Sequence, residues 1–258
     1  MTDNSSDYDW ISPPLRHLAV PVGSLTPDPA NARKHGQRNL DAVVASLRRF
    51  GQRLAEFNPE RVRVVATNTL RKAVNRETFL AQAREALGHP IEVISGQEEA
   101  RLVFLGVNRS IEDAAGRRLV VDIAGGSTEC IVGEVDAVAR ADSLHMGCVS
   151  WTQRFFADGK ITAERLEEAV IAARLELSPV HRAYRELGWD VCYGSSGTIN
   201  AVQTVLTECG WCEHVIRPQG LERLQARLVE FGRIDAIDLP GLKPDRRDVL
   251  VGGFAVLR

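Results

Sequence analysis

The chain has 258 residues, enough for one large domain or two small ones, and its 44% hydrophobic share and mean hydropathy of −0.14 describe an ordinary globular protein. A formal net charge of −2 argues against a global attraction to nucleic acid or anionic membranes, and no run of about 20 apolar residues offers a helical membrane span. The acidic, polar start Met1–Trp10 lacks signal-peptide character, and five cysteines at irregular spacing fit reduced thiols in a cytoplasm.

Residues 1–15 read as a disordered tail, rich in Ser, Asp and Asn and ending in Pro13-Pro14. A short strand-like run, Leu18–Val22, precedes a turn-rich stretch, and Asn39 to Phe50 reads as an amphipathic helix with Leu40, Val43, Val44, Leu47 and Phe50 on one face. The phrases "VPVGSLTPDPANARKH" and "NLDAVVASLRRFGQ" give residues 18–52 a resemblance to the opening of a ParB-like domain, without that family's arginine-rich box downstream. Arg33, Lys34, His35, Arg38, Arg48, Arg49 and Arg53 make the segment locally basic, and a solvated basic face is preferred over phosphate-backbone contact.

Arg61–Thr67 reads as a strand. Asn75 is expected to cap a helix over roughly 76–87 that stops at Gly88. Ile91–Ile94 is the next strand, and Ser95-Gly-Gln-Glu98 has the form of a capping box opening a further helix. Glu99 falls in its first turn, where a carboxylate favours the helix dipole and is also placed to act as a general base near a bound phosphate chain. Alternation of strand and helix points to an α/β architecture.

The run Leu119–Glu134 places two strand-like apolar stretches around Gly125-Gly126-Ser127-Thr128. A hairpin with such a turn suits phosphate: glycines let backbone N–H groups approach an anion, and hydroxyls add donors. Asp122 and Glu129 flank the turn, where carboxylates would repel phosphate unless Mg²⁺ lay between. Met146–Phe156 starts a helical stretch, Thr162 caps a long helix closed by Gly188, and Pro179 is expected to kink or split it. The strand Trp189–Tyr193 then feeds Gly194-Ser195-Ser196-Gly197-Thr198, a second Gly/Ser/Thr loop at a helix start and so a second anion site. Cys209 and Cys212 form a lone CxxC pair, read as incidental thiols, and Trp151, Phe155 and Phe156 read as core.

From about Arg49 onward the chain resembles the exopolyphosphatase/guanosine pentaphosphate phosphatase (Ppx/GppA) family of the actin-like ATPase superfamily. The matching phrases are "VVATNTLRKAVNRETFL", "PIEVISGQEEARLVFLGV", "VVDIAGGSTECIVGE", "MGCVSWTQRFF", "GSSGTINA" and "DLPGLKPDRRDVLVGGFAVL". The resemblance implies an α/β, ribonuclease H-like two-domain phosphatase. It implies Mg²⁺-dependent release of terminal phosphate from polyphosphate, or of the 5′ γ-phosphate from pppGpp. Glu99 matches the family's catalytic base, and Asp122 and Glu129 its Mg²⁺-binding acids. Gly125, Gly126 and Ser127 match one phosphate loop, Gly194, Ser195, Ser196, Gly197 and Thr198 the second, and Asn68 and Arg71 fall near the phosphates at the cleft between domains.

The chain also departs from the family pattern. No Asp-x-Gly-Ser-Asn-Ser loop lies upstream of Arg61, Ala124 replaces the first Gly of a Gly-Gly-Gly, and the sequence stops short of the expected last helix and strand. The expected division is a tail over 1–15, the ParB-like segment over 16–52, an incomplete first actin-like domain over 53–117 and a second, C-terminally truncated one over 118–258. Two alternatives to an active hydrolase stay open: a catalytically impaired phosphate or nucleotide binder, and a ParB-like nucleic-acid-associated fusion. The resemblance suggests a homodimer, while the cysteine pattern points to the cytoplasm and the charge and hydropathy argue against a membrane or nucleic acid as partner.

Overall fold

The computed structural model describes residues 37–111, 116–135 and 137–258; the expected tail and the strand-like run Leu18–Val22 lie outside them. Helix α1 (Gln37–Phe57) runs without a break through residue 52, where the sequence division set a boundary. Its expected apolar face is split. Leu47 and Leu54 pack with Leu80, Ala83 and Leu87 of α3 (Arg76–Leu87), while Val43 and Phe50 are exposed. The reason is Gly51, whose backbone meets that of Leu87 so closely that a Cβ would stand 2.9 Å from the Leu87 carbonyl carbon. This contact turns the 47/51/54 stripe toward α3.

Strands β1 (Val64–Ala66) and β2 (Ile91–Val93) pair in parallel, with α2 (Asn68–Lys72) and α3 between them in sequence. Asn75 occupies the N-cap position of α3 without a side-chain cap bond, whereas Gly88 closes the helix in the left-handed conformation at φ 75°. Ser95 caps α4 (Gly96–Arg109) by accepting from the Glu98 amide at 3.1 Å. Half of the expected capping box is thus present, and the Glu98 carboxylate pairs instead with Arg101 and Arg63.

The second sheet has four strands in the order β5-β4-β3-β6, formed by β3 (Arg118–Ile123), β4 (Thr128–Glu134), β5 (Ala137–Leu144) and β6 (Val191–Ser195). Strands β3, β4 and β5 form an antiparallel meander, and β6 joins β3 in parallel. One face packs on α4, where Ala100 and Phe104 meet Val120 and Ile131. Removing Phe104 wholly from water contributes roughly 2–3 kcal/mol. Buried Arg118 donates to Asn108 Oδ1 at 2.8 Å and ties the last turn of α4 to β3. The opposite face, through Cys130, Val132 and Leu144, joins a core that includes Val170, Val202 and Phe254. That layer comprises α5 (Cys148–Phe155), α6 (Ala163–Leu187), α7 (Ser196–Glu208), α8 (Pro218–Phe231) and α9 (Pro244–Leu257).

Helix α6 passes through Pro179 unsplit. The missing N–H leaves the Leu175 carbonyl without its helical partner, and both residues are exposed, so water can serve that carbonyl. Among the described residues no helix is long and apolar enough to cross a membrane.

Candidate active site

The strand register assembles the site. Asp122 on β3 pairs with Glu129 on β4, Glu129 with Ser143 on β5, and Asp122 with Ser195 on β6. Directly paired residues share a face of the sheet, so Ser143, Glu129, Asp122 and Ser195 form one row across all four strands. The next row on that face, Ala141, Ile131, Val120 and Tyr193, is the apolar floor under α4. The polar row therefore sits where α4 begins, beside Glu99.

The β3–β4 turn spans residues 124–127 and is closed by the Ala124 amide donating to Ser127 O at 3.0 Å. Its outer carbonyls belong to α5. Cys148 N donates to Ala124 O at 2.9 Å, and Val149 N and Ser150 N donate to Gly125 O at 2.9 and 3.0 Å. In a trans peptide the carbonyl and the following N–H point opposite ways, so the Gly125 and Gly126 amides are directed away from α5, as an anion cradle requires. Gly147 makes this approach feasible: a Cβ there would lie 2.6 Å from both Ala124 O and Gly126 N. Ser127 is buried at 1% exposure, and its hydroxyl, which makes no well-formed hydrogen bond, lies near enough to Glu129 to favour the carboxylate's charged form.

The second expected loop proves to be a direct junction. Gly194 and Ser195 end β6, and α7 starts at Ser196 with no residue between. Ser196 holds φ 69°, a left-handed conformation costly for a non-glycine residue, and its hydroxyl donates to Ile123 O at 2.7 Å. The Arg246 guanidinium lies against Gly197, about where a side chain there would stand. Gly125, Val149, Gly197 and Arg246 help line a cavity of about 310 Å³ between the two turns.

Electrostatics single out the acids. Burial pushes the Glu129 carboxyl up to about 7; the Ser143 hydroxyl acts against the rise and the Glu99 charge adds to it. Burial likewise raises Asp122, opposed by the Ser196 and Ser195 hydroxyls and reinforced by Glu99. Arg71 steadies Glu99: its Nη1 donates to Glu99 Oε2 at 2.8 Å and to Ile94 O at 3.0 Å. Asn68, at the start of α2, brings its amide against Gly126.

Among the described residues no three acidic, His or Cys side chains converge tightly enough to cage a metal ion. Asp122 and Glu129 nevertheless fit Mg²⁺, which commonly takes one or two carboxylates and completes its shell with water and substrate phosphate. Two buried carboxyls facing each other across one strand pair are the chemistry that a hard cation would relieve.

The structure thus gathers Asn68, Arg71, Glu99, Asp122, Gly125, Gly126, Ser127 and Glu129 around the first turn, and Gly194 to Thr198 around the second. Thr198 is turned inward, buried against Gly253 of α9. Sequence reasoning missed Ser143, Gly147 and Arg246. Ser143 lies on β5, whose Ala-rich run Ala137–Leu144 carries little strand signal, whereas Gly147 and Arg246 act through contacts with distant turns that local residue types do not announce.

A family model described as the Ppx/GppA phosphatase family matches residues 30–258, which takes in all of α1. A Vibrio cholerae protein named guanosine-5′-triphosphate,3′-diphosphate pyrophosphatase is 41% identical over 231 residues, covering 88% of this chain and 46% of that protein. A protein of the same name from Aeromonas hydrophila is 40% identical over 236 residues, covering 92% and 46%. The chain thus spans about half the length of these relatives. Among solved structures, an exopolyphosphatase-like protein superimposes with a TM-score of 0.75 at 27% identity, covering 87% of this chain and 72% of the other. The Aquifex aeolicus PPX-GPPA enzyme gives 0.67 at 25% identity, covering 86% and 75%. These likenesses agree with the actin-like ATPase fold expected from the sequence.

Proposed function

Because the chain belongs to the Ppx/GppA phosphatase family, we propose that its cleft hydrolyses a terminal phosphate with the help of Mg²⁺. The substrate is the 5′ end of guanosine 5′-triphosphate 3′-diphosphate or a chain of inorganic polyphosphate. The names of the Vibrio and Aeromonas relatives favour the guanosine nucleotide. The observation that carries the reading is the Asp122–Glu129 pair, fixed in register beside a turn whose amides are oriented for an anion and faced by Glu99.

In this reading the Gly125 and Gly126 amides and the Ser127 hydroxyl hold the terminal phosphate, while Ser195, Ser196 and Gly197 with Arg246 hold the rest of the chain. Asp122 and Glu129 would bind Mg²⁺, which when bound neutralises charge on the phosphate oxygens. Glu99, oriented by the Arg71 guanidinium, accepts a proton from water as the water oxygen attacks phosphorus in line. The P–O anhydride bond breaks, its electron pair leaves on the shortened chain, and orthophosphate departs. Most of the catalysis is positioning and preorganised charge.

The test is phosphate release from both substrates with Mg²⁺, comparing the parent with Glu99→Gln. Release is expected from the parent, reduced by about 10²–10⁴-fold in the variant. No release from either substrate by folded parent protein would sink the hydrolase reading and leave a phosphate binder.

A further inference from the structure

We propose that Ser143 is a positioning residue that holds the Glu129 carboxylate in the orientation a divalent cation needs, an inference that rests on the phosphohydrolase reading. Three observations converge on this hydroxyl. The β4–β5 register puts Ser143 beside Glu129 on the same face of the sheet. Ser143 Oγ donates to Glu129 Oε1 at 2.8 Å. Glu129 is only 1% exposed, so a protein donor takes the place of water at that oxygen.

The hydroxyl is itself held from behind. A Cβ at Gly96 would stand 2.6 Å from Ser143 Oγ, so the first turn of α4 presses directly on the serine and limits where it can point. Glu99 follows three residues later on the same helix. One side chain therefore links β5, β4 and the start of α4, and sets Glu129 relative to Glu99. With Oε1 engaged, the carboxylate cannot swing freely, and its second oxygen is presented in one direction. Donors of this kind, behind a metal-binding carboxylate, orient the ligand and raise metal affinity.

The test measures binding of Mn²⁺, as a paramagnetic probe for Mg²⁺, by electron paramagnetic resonance on the full chain. It compares the parent with Ser143→Ala, Ser143→Cys and Glu129→Gln, with phosphate release followed in parallel. The expected result is that Ser143→Ala binds Mn²⁺ about 10-fold more weakly. It should also need correspondingly more Mg²⁺ for half-maximal turnover, with kcat largely restored at saturation. Ser143→Cys keeps the packing but is a weak donor, so it should follow Ser143→Ala. It also decides the matter if Ser143→Ala fails to fold. Parent-like Mn²⁺ binding by Ser143→Cys would assign the serine to packing alone and overturn the inference while Glu129 stands. Parent-like binding by Glu129→Gln, or none by the parent, would remove the metal site itself and the inference with it.

Discussion

Glu129 shows at the scale of one residue how the site stores unfavourable charge. Its folded-state carboxyl titrates near 7 against an ordinary 4.5, chiefly because burial disfavours the anion. The native state therefore binds the proton more tightly than the unfolded chain. Stability falls as pH rises from about 4.5 to about 7, because the unfolded chain ionises first, and above that window the penalty is fully present. The penalty is roughly 3 kcal/mol at most. In the presence of a chelator, Glu129→Gln should raise the calorimetric Tm at pH 8 and leave it nearly unchanged at pH 5. Mg²⁺ should stabilise the parent at pH 8 and do little for the variant. Equal effects at both pH values would mean that Glu129 is not a strained buried charge. This residue was legible in the sequence because acid, glycine turn and acid occur together in one hairpin. Ser143, which tempers the same charge, was not, since its partner lies 14 residues away on a strand without an apolar alternation to announce it.

Helix α5 earns its place through its first turn rather than its apolar face. Its amides take the carbonyls of Ala124 and Gly125, which turns the loop's own N–H groups outward, and the N-terminal end of a helix adds partial positive charge. Everything depends on Gly147 letting the helix start within contact of the loop. Gly147→Ala should displace residues 124–126 and destabilise the fold by roughly 1–3 kcal/mol, the cost of overpacking. Tripolyphosphate with Mg²⁺ should then protect the variant less against thermal unfolding than it protects the parent. A variant whose stability and ligand response both match the parent would show that the loop does not lean on α5. Such a contact is invisible to periodicity, which locates a helix but not which carbonyls its free amides will find. The second turn teaches the same lesson. Gly194-Ser195-Ser196-Gly197-Thr198 reads as a loop by composition, yet pairing with β3 extends the strand to Ser195 and α7 starts at once. The strain falls on Ser196.

Across the whole molecule, Asn68 and Arg71 carry the unit built from β1, α2, α3 and β2 to the first turn and to the start of α4. Asn68 meets Gly126, and Arg71 bridges Ile94 O and Glu99. A phosphate chain seated on residues 124–127 would therefore touch both units, and its binding energy would be shared between them. Ligand that binds only the assembled arrangement stabilises it by mass action, about 2.7 kcal/mol at 100 times Kd. With Mg²⁺ and tripolyphosphate, amide hydrogen exchange should slow at residues 124–127 and 195–198, and also in β1, α2 and β2. In Asn68→Ala combined with Arg71→Ala, protection should persist around the two turns but disappear from β1, α2 and β2. Protection confined to the turns in the parent would show that the larger sheet binds phosphate alone. Asn68 and Arg71 would then serve the fold of the smaller unit rather than the substrate.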